Sequence, residues 1–129
     1  MIPRFRVWHN ELGRMMSIKN IWFQDSSFEE LELNDAVMND CITAYPDEIE
    51  LMQSTGLKDK NGKEIFEGDI LKSNKHITSV FYENGAYCVK FRRTTNTTVT
   101  MNVISFIEQY KTKIIGNIYE NPRLLKEKQ

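Results

Sequence analysis

No apolar run in this sequence approaches the roughly 20 residues a helix needs to cross a bilayer, so a membrane-spanning helix is excluded. The start, MIPRFRVWHNE, lacks an apolar core ahead of a small-residue cleavage site. No secretory leader is therefore expected, and the expected compartment is cytoplasmic, with no membrane partner. Cysteine is scarce: Cys41 and Cys88 stand alone, far apart, with no CxxC. They are expected as free thiols in or near the core of a protein in a reducing compartment. Histidine is equally scarce, with only His9 and His76, neither beside a cluster of partners. Both are read as surface or edge residues. G-x-S-x-G, the P-loop and G-x-G-x-x-G are all missing. Catalysis is not expected.

Positive charge is missing from residues 24–50. That stretch holds nine acids (Asp25, Glu29, Glu30, Glu32, Asp35, Asp40, Asp47, Glu48, Glu50) and no Lys or Arg. It also lacks glycine, which a calcium loop needs at its centre. No metal and no cofactor are expected. The readings that remain are a solvated acidic face, a self-association patch or a mimic of nucleic-acid charge.

What is present is an ordinary globular chain. Its 129 residues are 40% hydrophobic and 27% charged, enough for a core without staples. The length fits one domain or two intimately packed subdomains. The net charge of −1 hides three blocks. Residues 1–23 carry four basic residues against one acid, and residues 51–129 carry thirteen against eight. The blocks sum to +3, −9 and +5. Opposite blocks of this kind pair within one chain or with a second copy.

Strands are predicted at Phe5–Trp8 and Met15–Phe23. Periodicity leaves Phe28, Leu31 and Leu33 between strand and helical turn. A short helix is expected over Asp35–Cys41, capped by Asn34 or Asp35, with Pro46 ending what precedes it. Asn61-Gly62 predicts a tight turn with a short or loose ladder, since a two-residue hairpin there sets Lys60 against Lys63 and Asp59 against Glu64. Asn84-Gly85 predicts a better hairpin. Tyr82 faces Tyr87, Val80 faces Val89 and Thr78 faces Phe91 on a core face; Phe81, Lys90 and Arg92 lie on the other. Thr94–Thr100 leads into an edge strand ending near Ile104, followed by a helical turn to Tyr110. Lys113–Tyr119 is a last strand in which Gly116 marks a bulge or close backbone approach. Asn121-Pro122 starts a short C-terminal helix.

Lys72, Lys75, Lys90, Arg92 and Arg93 are the candidate nucleic-acid contacts, because cations beside aromatic residues on a sheet hold single strands. The competing reading is an ordinary solvated strand face.

The run LMQSTGLKDKNGKEIFEGDIL at 51–71 and the run IIGNIYENPRLL at 114–125 resemble the signature of the YopX family, small proteins of bacteriophages and prophages. The likeness is specific at 55–70 and 114–122, extends to Phe5-Arg6-Val7-Trp8, and is thin over 20–47 and 75–110. It implies an α+β N-terminal part joined to an SH3-like barrel. Gly turns between short strands and the Gly68-Asp69 turn entering a strand agree with that. The expected fold is therefore α+β, mostly β: an α+β subdomain over 1–50, and an SH3-like barrel with a short C-terminal helix over 51–129. The resemblance carries no biochemical role. The expected function is a non-catalytic interaction module that self-associates as a homo-oligomer, with room for an unidentified protein partner. The alternative is a nucleic-acid-binding accessory protein that uses the basic barrel face.

Overall fold

The computed structural model describes residues 4–25 and 27–127. They group into two compact units, within 1–53 and within 54–129. Antiparallel strands dominate both.

The first unit is an antiparallel meander of β1 (Phe5–His9), β2 (Arg14–Gln24), β3 (Ser27–Asp35), β4 (Asp40–Ala44) and the first half of β5 (Ile49–Lys58). Its spatial order is β4-β3-β2-β1-β5. The ambiguous acidic middle is strand, and its alternation turns Leu31, Leu33 and Asp35 inward. These leucines pack with Val7, Met16, Ala44 and Ile49. Burying such side chains contributes roughly 1.5–3 kcal/mol each.

The helix expected over Asp35–Cys41 is absent. Residues 36–39 form a turn instead, and Cys41 already belongs to β4. Asp35 does act as an acceptor, taking Val37 N–H at 3.2 Å and Met38 N–H at 3.5 Å, but it closes a turn rather than starting a helix. Asn39 at φ 56° leaves the helical region, and Ile42 and Thr43 pair with β3. Two other expectations are corrected here. Cys41 is exposed, while Cys88 is buried as expected. His9 is buried rather than on the surface, and its Nδ1 accepts Leu12 N–H at 3.1 Å.

The second unit holds the rest of β5, β6 (Glu64–Phe66), β7 (Asp69–Lys72), β8 (Ile77–Ser79), β9 (Phe81–Glu83), β10 (Ala86–Thr94), β11 (Thr97–Asn102), α1 (Val103–Gln109), β12 (Lys113–Asn117) and α2 (Arg123–Glu127). Two three-stranded sheets form, ordered β12-β7-β8 and β11-β10-β9. Among the described residues no continuous ladder closes them into one barrel. Their core gathers Ile65, Leu71, Val80, Val89, Phe91, Val103 and Phe106.

The two signature stretches meet in this unit. Asn117 pairs with Asp69, and Ile114 with Leu71, in the β7–β12 ladder. Asp59 ties the Asn61-Gly62 turn to them. Its carboxylate is buried and accepts the N–H groups of Asn61, Lys63 and Ile114, each at 2.9 Å. Burial alone would raise its pKa; the N–H groups of Ile114, Lys63 and Asn61 outweigh that and hold it below the ordinary value. The ladder at this turn is short, as expected, but its register sets Lys58 against Glu64 and so avoids the like-charge pairs. Gly116 meets both descriptions given above: a register shift lies beside it, and an added Cβ would sit 2.3 Å from Asn121 Oδ1.

A candidate nucleic-acid interface

The Asn84-Gly85 turn has φ 50° and 83°, both left-handed, as a type I′ turn requires. Tyr82 faces Tyr87 and Phe81 faces Cys88 in the ladder that follows. That ladder stops at Phe81. Val80 instead bonds across to the other sheet, its N–H donating to Asp69 O at 2.9 Å and its C=O accepting Gly68 N–H at 2.8 Å. From there β8 pairs with β7, so the chain changes sheets within one residue. The core face forms in part: Val80, Val89, Thr78 and Phe91 are buried, but Tyr82, expected on that face, is 53% exposed, Cys88 from the other face is buried, and the expected Val80–Val89 and Thr78–Phe91 ladder pairs do not form.

The sheet change leaves β8 and β10 side by side without a ladder. Thr78 bridges them. Its hydroxyl accepts Lys90 N–H at 3.2 Å and donates to Lys90 C=O at 2.7 Å, replacing the missing backbone partners. On the outward side of this seam lies a cleft of about 550 Å³. Lys90 and Arg92, alternate residues that share a face of β10, line it, and so does Phe91 between them. Arg93 should point the other way. It is the extra residue of a bulge, however: Arg92 pairs with Thr98 and Thr94 with Thr97, so Arg93 has no opposite number. A bulge re-aims a side chain, and Arg93 lines the cleft beside Arg92. Lys75 joins from a turn built by Ser73, whose hydroxyl accepts Lys75 N–H at 3.2 Å and His76 N–H at 3.0 Å. His76 and Phe91 complete the wall, with ring centroids 4.3 Å apart. His76 is thus half-buried in an aromatic stack that also includes Tyr110 at 5.2 Å.

Four of the five sequence candidates therefore converge: Lys75, Lys90, Arg92 and Arg93. Lys72 does not. It sits exposed on β7, opposite Ile77 and Lys113, and is not part of the cleft wall. Among the described residues the wall holds no carboxylate, and none of the four cations enters an ion pair. A smaller hollow of about 360 Å³ adjoins at Lys90, bounded by Phe81, Glu83 and Ser79. Lys90 Nζ stands 5.9 Å from the Phe81 ring centroid. Sequence reasoning missed Thr78, His76 and the bulge. Nothing in Arg92-Arg93-Thr94 marks a bulge, because it arises from the partner strand's register.

No cluster of three or more His, Cys, Asp or Glu among the described residues is placed to hold a metal ion. No helix among them is long and apolar enough to cross a membrane.

Fold and cleft define a small antiparallel β protein that gathers cations on the seam between two sheets. The chain belongs to the YopX protein family, whose sequence model matches residues 4–126. The likeness at the two signature stretches thus extends over nearly the whole chain. The chain is also similar to protein EF1440 from Enterococcus faecalis, known from a crystal structure, at 30% identity and a TM-score of 0.66; the match covers 97% of this chain and 99% of that one. No curated protein matches the chain.

Proposed function

We propose that this protein is a non-catalytic nucleic-acid-binding accessory protein whose β8–β10 cleft takes the phosphate backbone. The observation that carries the reading is the convergence of Lys75, Lys90, Arg92 and Arg93 on one cleft whose wall holds no carboxylate. Cations gathered without counter-charges repel one another, and a polyanion relieves that repulsion. The overall charge of −1 does not oppose this, because acids concentrate in residues 24–50 while the cleft lies in the second unit. The SH3-like barrel implied by the family likeness is the frame proposed for these two sheets.

The test is a titration of fluorescent oligonucleotide by anisotropy over about 50 to 200 mM salt. Four phosphate contacts on a single strand give a log–log salt slope of about −3. Replacing Arg92 and Arg93 together by Gln should roughly halve that slope. Absence of binding at about 50 mM salt, or binding indifferent to salt, defeats the reading.

Self-association is a second reading, favoured by one observation. The β2–β3 hairpin leaves Trp22 47% and Phe23 67% exposed, and β4 has a neighbour on one side only. Exposed aromatic residues and a free strand edge favour a partner of the same kind. A monomer mass by light scattering at tens of micromolar would end that reading.

A further inference from the structure

We infer that the nucleic acid is single-stranded, and that the hollow between Phe81 and Glu83 receives one unstacked base with a preference for bases that offer an amino group. This rests on the cleft reading above and adds to it. The two hollows share Lys90 but differ in charge. The first is lined by Lys75, Lys90, Arg92 and Arg93 and no acid; the second is lined by Glu83 as well as Lys90. A phosphate is repelled from the second hollow, whereas a neutral base is not.

The second hollow also offers what a base needs. Phe81 is only partly buried, so part of its ring borders the hollow, and a π-face stacks any base. Phe81 now carries the Lys90 ammonium at 5.9 Å. Lys90 lies on both hollows, so one side chain serves a phosphate on one side and flanks the stacked base on the other. Lys90 and Arg92 are two residues apart on β10, about 7 Å along the strand, a spacing that successive phosphates of an extended strand can follow. A duplex has its base faces already stacked and cannot use Phe81. Glu83 supplies the edge contact: a carboxylate accepts from the cytosine amino group and finds only an acceptor on the equivalent position of thymine.

The experiment compares fluorescent oligo-dC, oligo-dT and a duplex, each of about 12 units, a length within single-strand site sizes. The full chain is used at neutral pH and low salt, with denaturation midpoints recorded for every variant. The expected order is oligo-dC over oligo-dT over duplex. Phe81→Leu, which keeps apolar bulk but loses the ring, should weaken single-strand binding about tenfold with the salt slope unchanged. Phe81→Tyr should restore it. Glu83→Gln should bring oligo-dC and oligo-dT within about twofold of each other. Equal binding of duplex and single strand, or a silent Phe81→Leu, overturns this inference while the cleft reading stands. Equal binding of the two single strands by the native chain removes the role of Glu83. No binding of any probe overturns both readings at once.

Discussion

The two units treat charge in opposite ways. In the first, basic residues of β2 meet acids of β3 across the ladder. Arg14 forms a two-pronged ion pair with the buried Asp35, and Lys19 stands 3.9 Å from Glu32, which also accepts Asn20 Nδ2–H at 3.0 Å. The N-terminal basic block and the acidic block therefore satisfy each other within one chain, at least in part. In the second unit the cations of β10 and the Ser73–His76 turn gather on a cleft whose wall holds no carboxylate; Glu83 lies in the adjoining hollow that shares Lys90. The one buried carboxylate for which a lowered pKa resolves there, Asp59, is engaged chiefly by backbone N–H groups, with the Lys63 charge a smaller contribution. Charge in the first unit serves the fold. The cations around the cleft enter no ion pair among the described residues.

The largest effect should come from removing Asp59. Asp59→Ala leaves the N–H groups of Asn61, Lys63 and Ile114 without their acceptor, and should cost about 3 kcal/mol or more by urea denaturation. A loss under about 1 kcal/mol would break the claim that this carboxylate frames the second unit.

Next comes the hairpin that carries Phe81 and Lys90. Gly85 has φ 83°, with nothing within 4 Å of an added Cβ, so a substitution there meets backbone strain alone. Gly85→Val should destabilise the chain by about 1–2 kcal/mol and weaken oligonucleotide binding with it. An unchanged denaturation midpoint would remove the type I′ turn from the account.

A smaller effect separates the units by pH. The Asp35 carboxyl is held below its ordinary value, first by the hydrogen bonds from Arg14 and then, against burial, by Met38 and Val37 N–H. Asp59 is held low as well. Both folded values lie below the unfolded value of about 3.9, so the unfolded chain takes up protons first as pH falls. The stability these groups contribute is full above about pH 4 and is lost as pH drops through the folded values. Urea midpoints measured through this range should fall with acid, and should fall less steeply in Asp35→Asn and in Asp59→Asn. An acid profile identical to native in both variants would show that neither group is linked to folding.

The smallest effect, that of Arg92→Gln, tests the comparison directly when set against the larger one of Arg14→Gln. Arg92→Gln should leave the denaturation midpoint within about 0.5 kcal/mol, because Arg92 enters no ion pair among the described residues. Arg14→Gln should lower the midpoint, because Asp35 then remains buried without its cation. If the two variants behave alike, the contrast between paired and free charge fails.

Local chemistry was sufficient for much of this molecule. The Asn84-Gly85 hairpin, the buried face of Val80, Val89, Thr78 and Phe91, the strand at β2, the helical turn after β11 and the close approach at Gly116 were all legible, because turn geometry and period-two burial are written within a few residues. The Asp35–Cys41 helix was misread because nothing local favours one way of using the Asp35 acceptor over the other; pairing of Ile42 and Thr43 with β3 decided it. The candidacy of Lys72, Lys75, Lys90, Arg92 and Arg93 for one basic face followed from the sequence. Which cations converge did not. Lys72 left the set because β7 pairs with β12, and Arg93 stays in it through a bulge set by the register of β11. The cleft itself exists because Val80 bonds to the Gly68-Asp69 turn, so that β8 leaves β10 and the Thr78 hydroxyl spans the seam. Those are contacts between segments far apart in the chain, chosen by backbone groups that every residue carries, and no side-chain pattern encodes them.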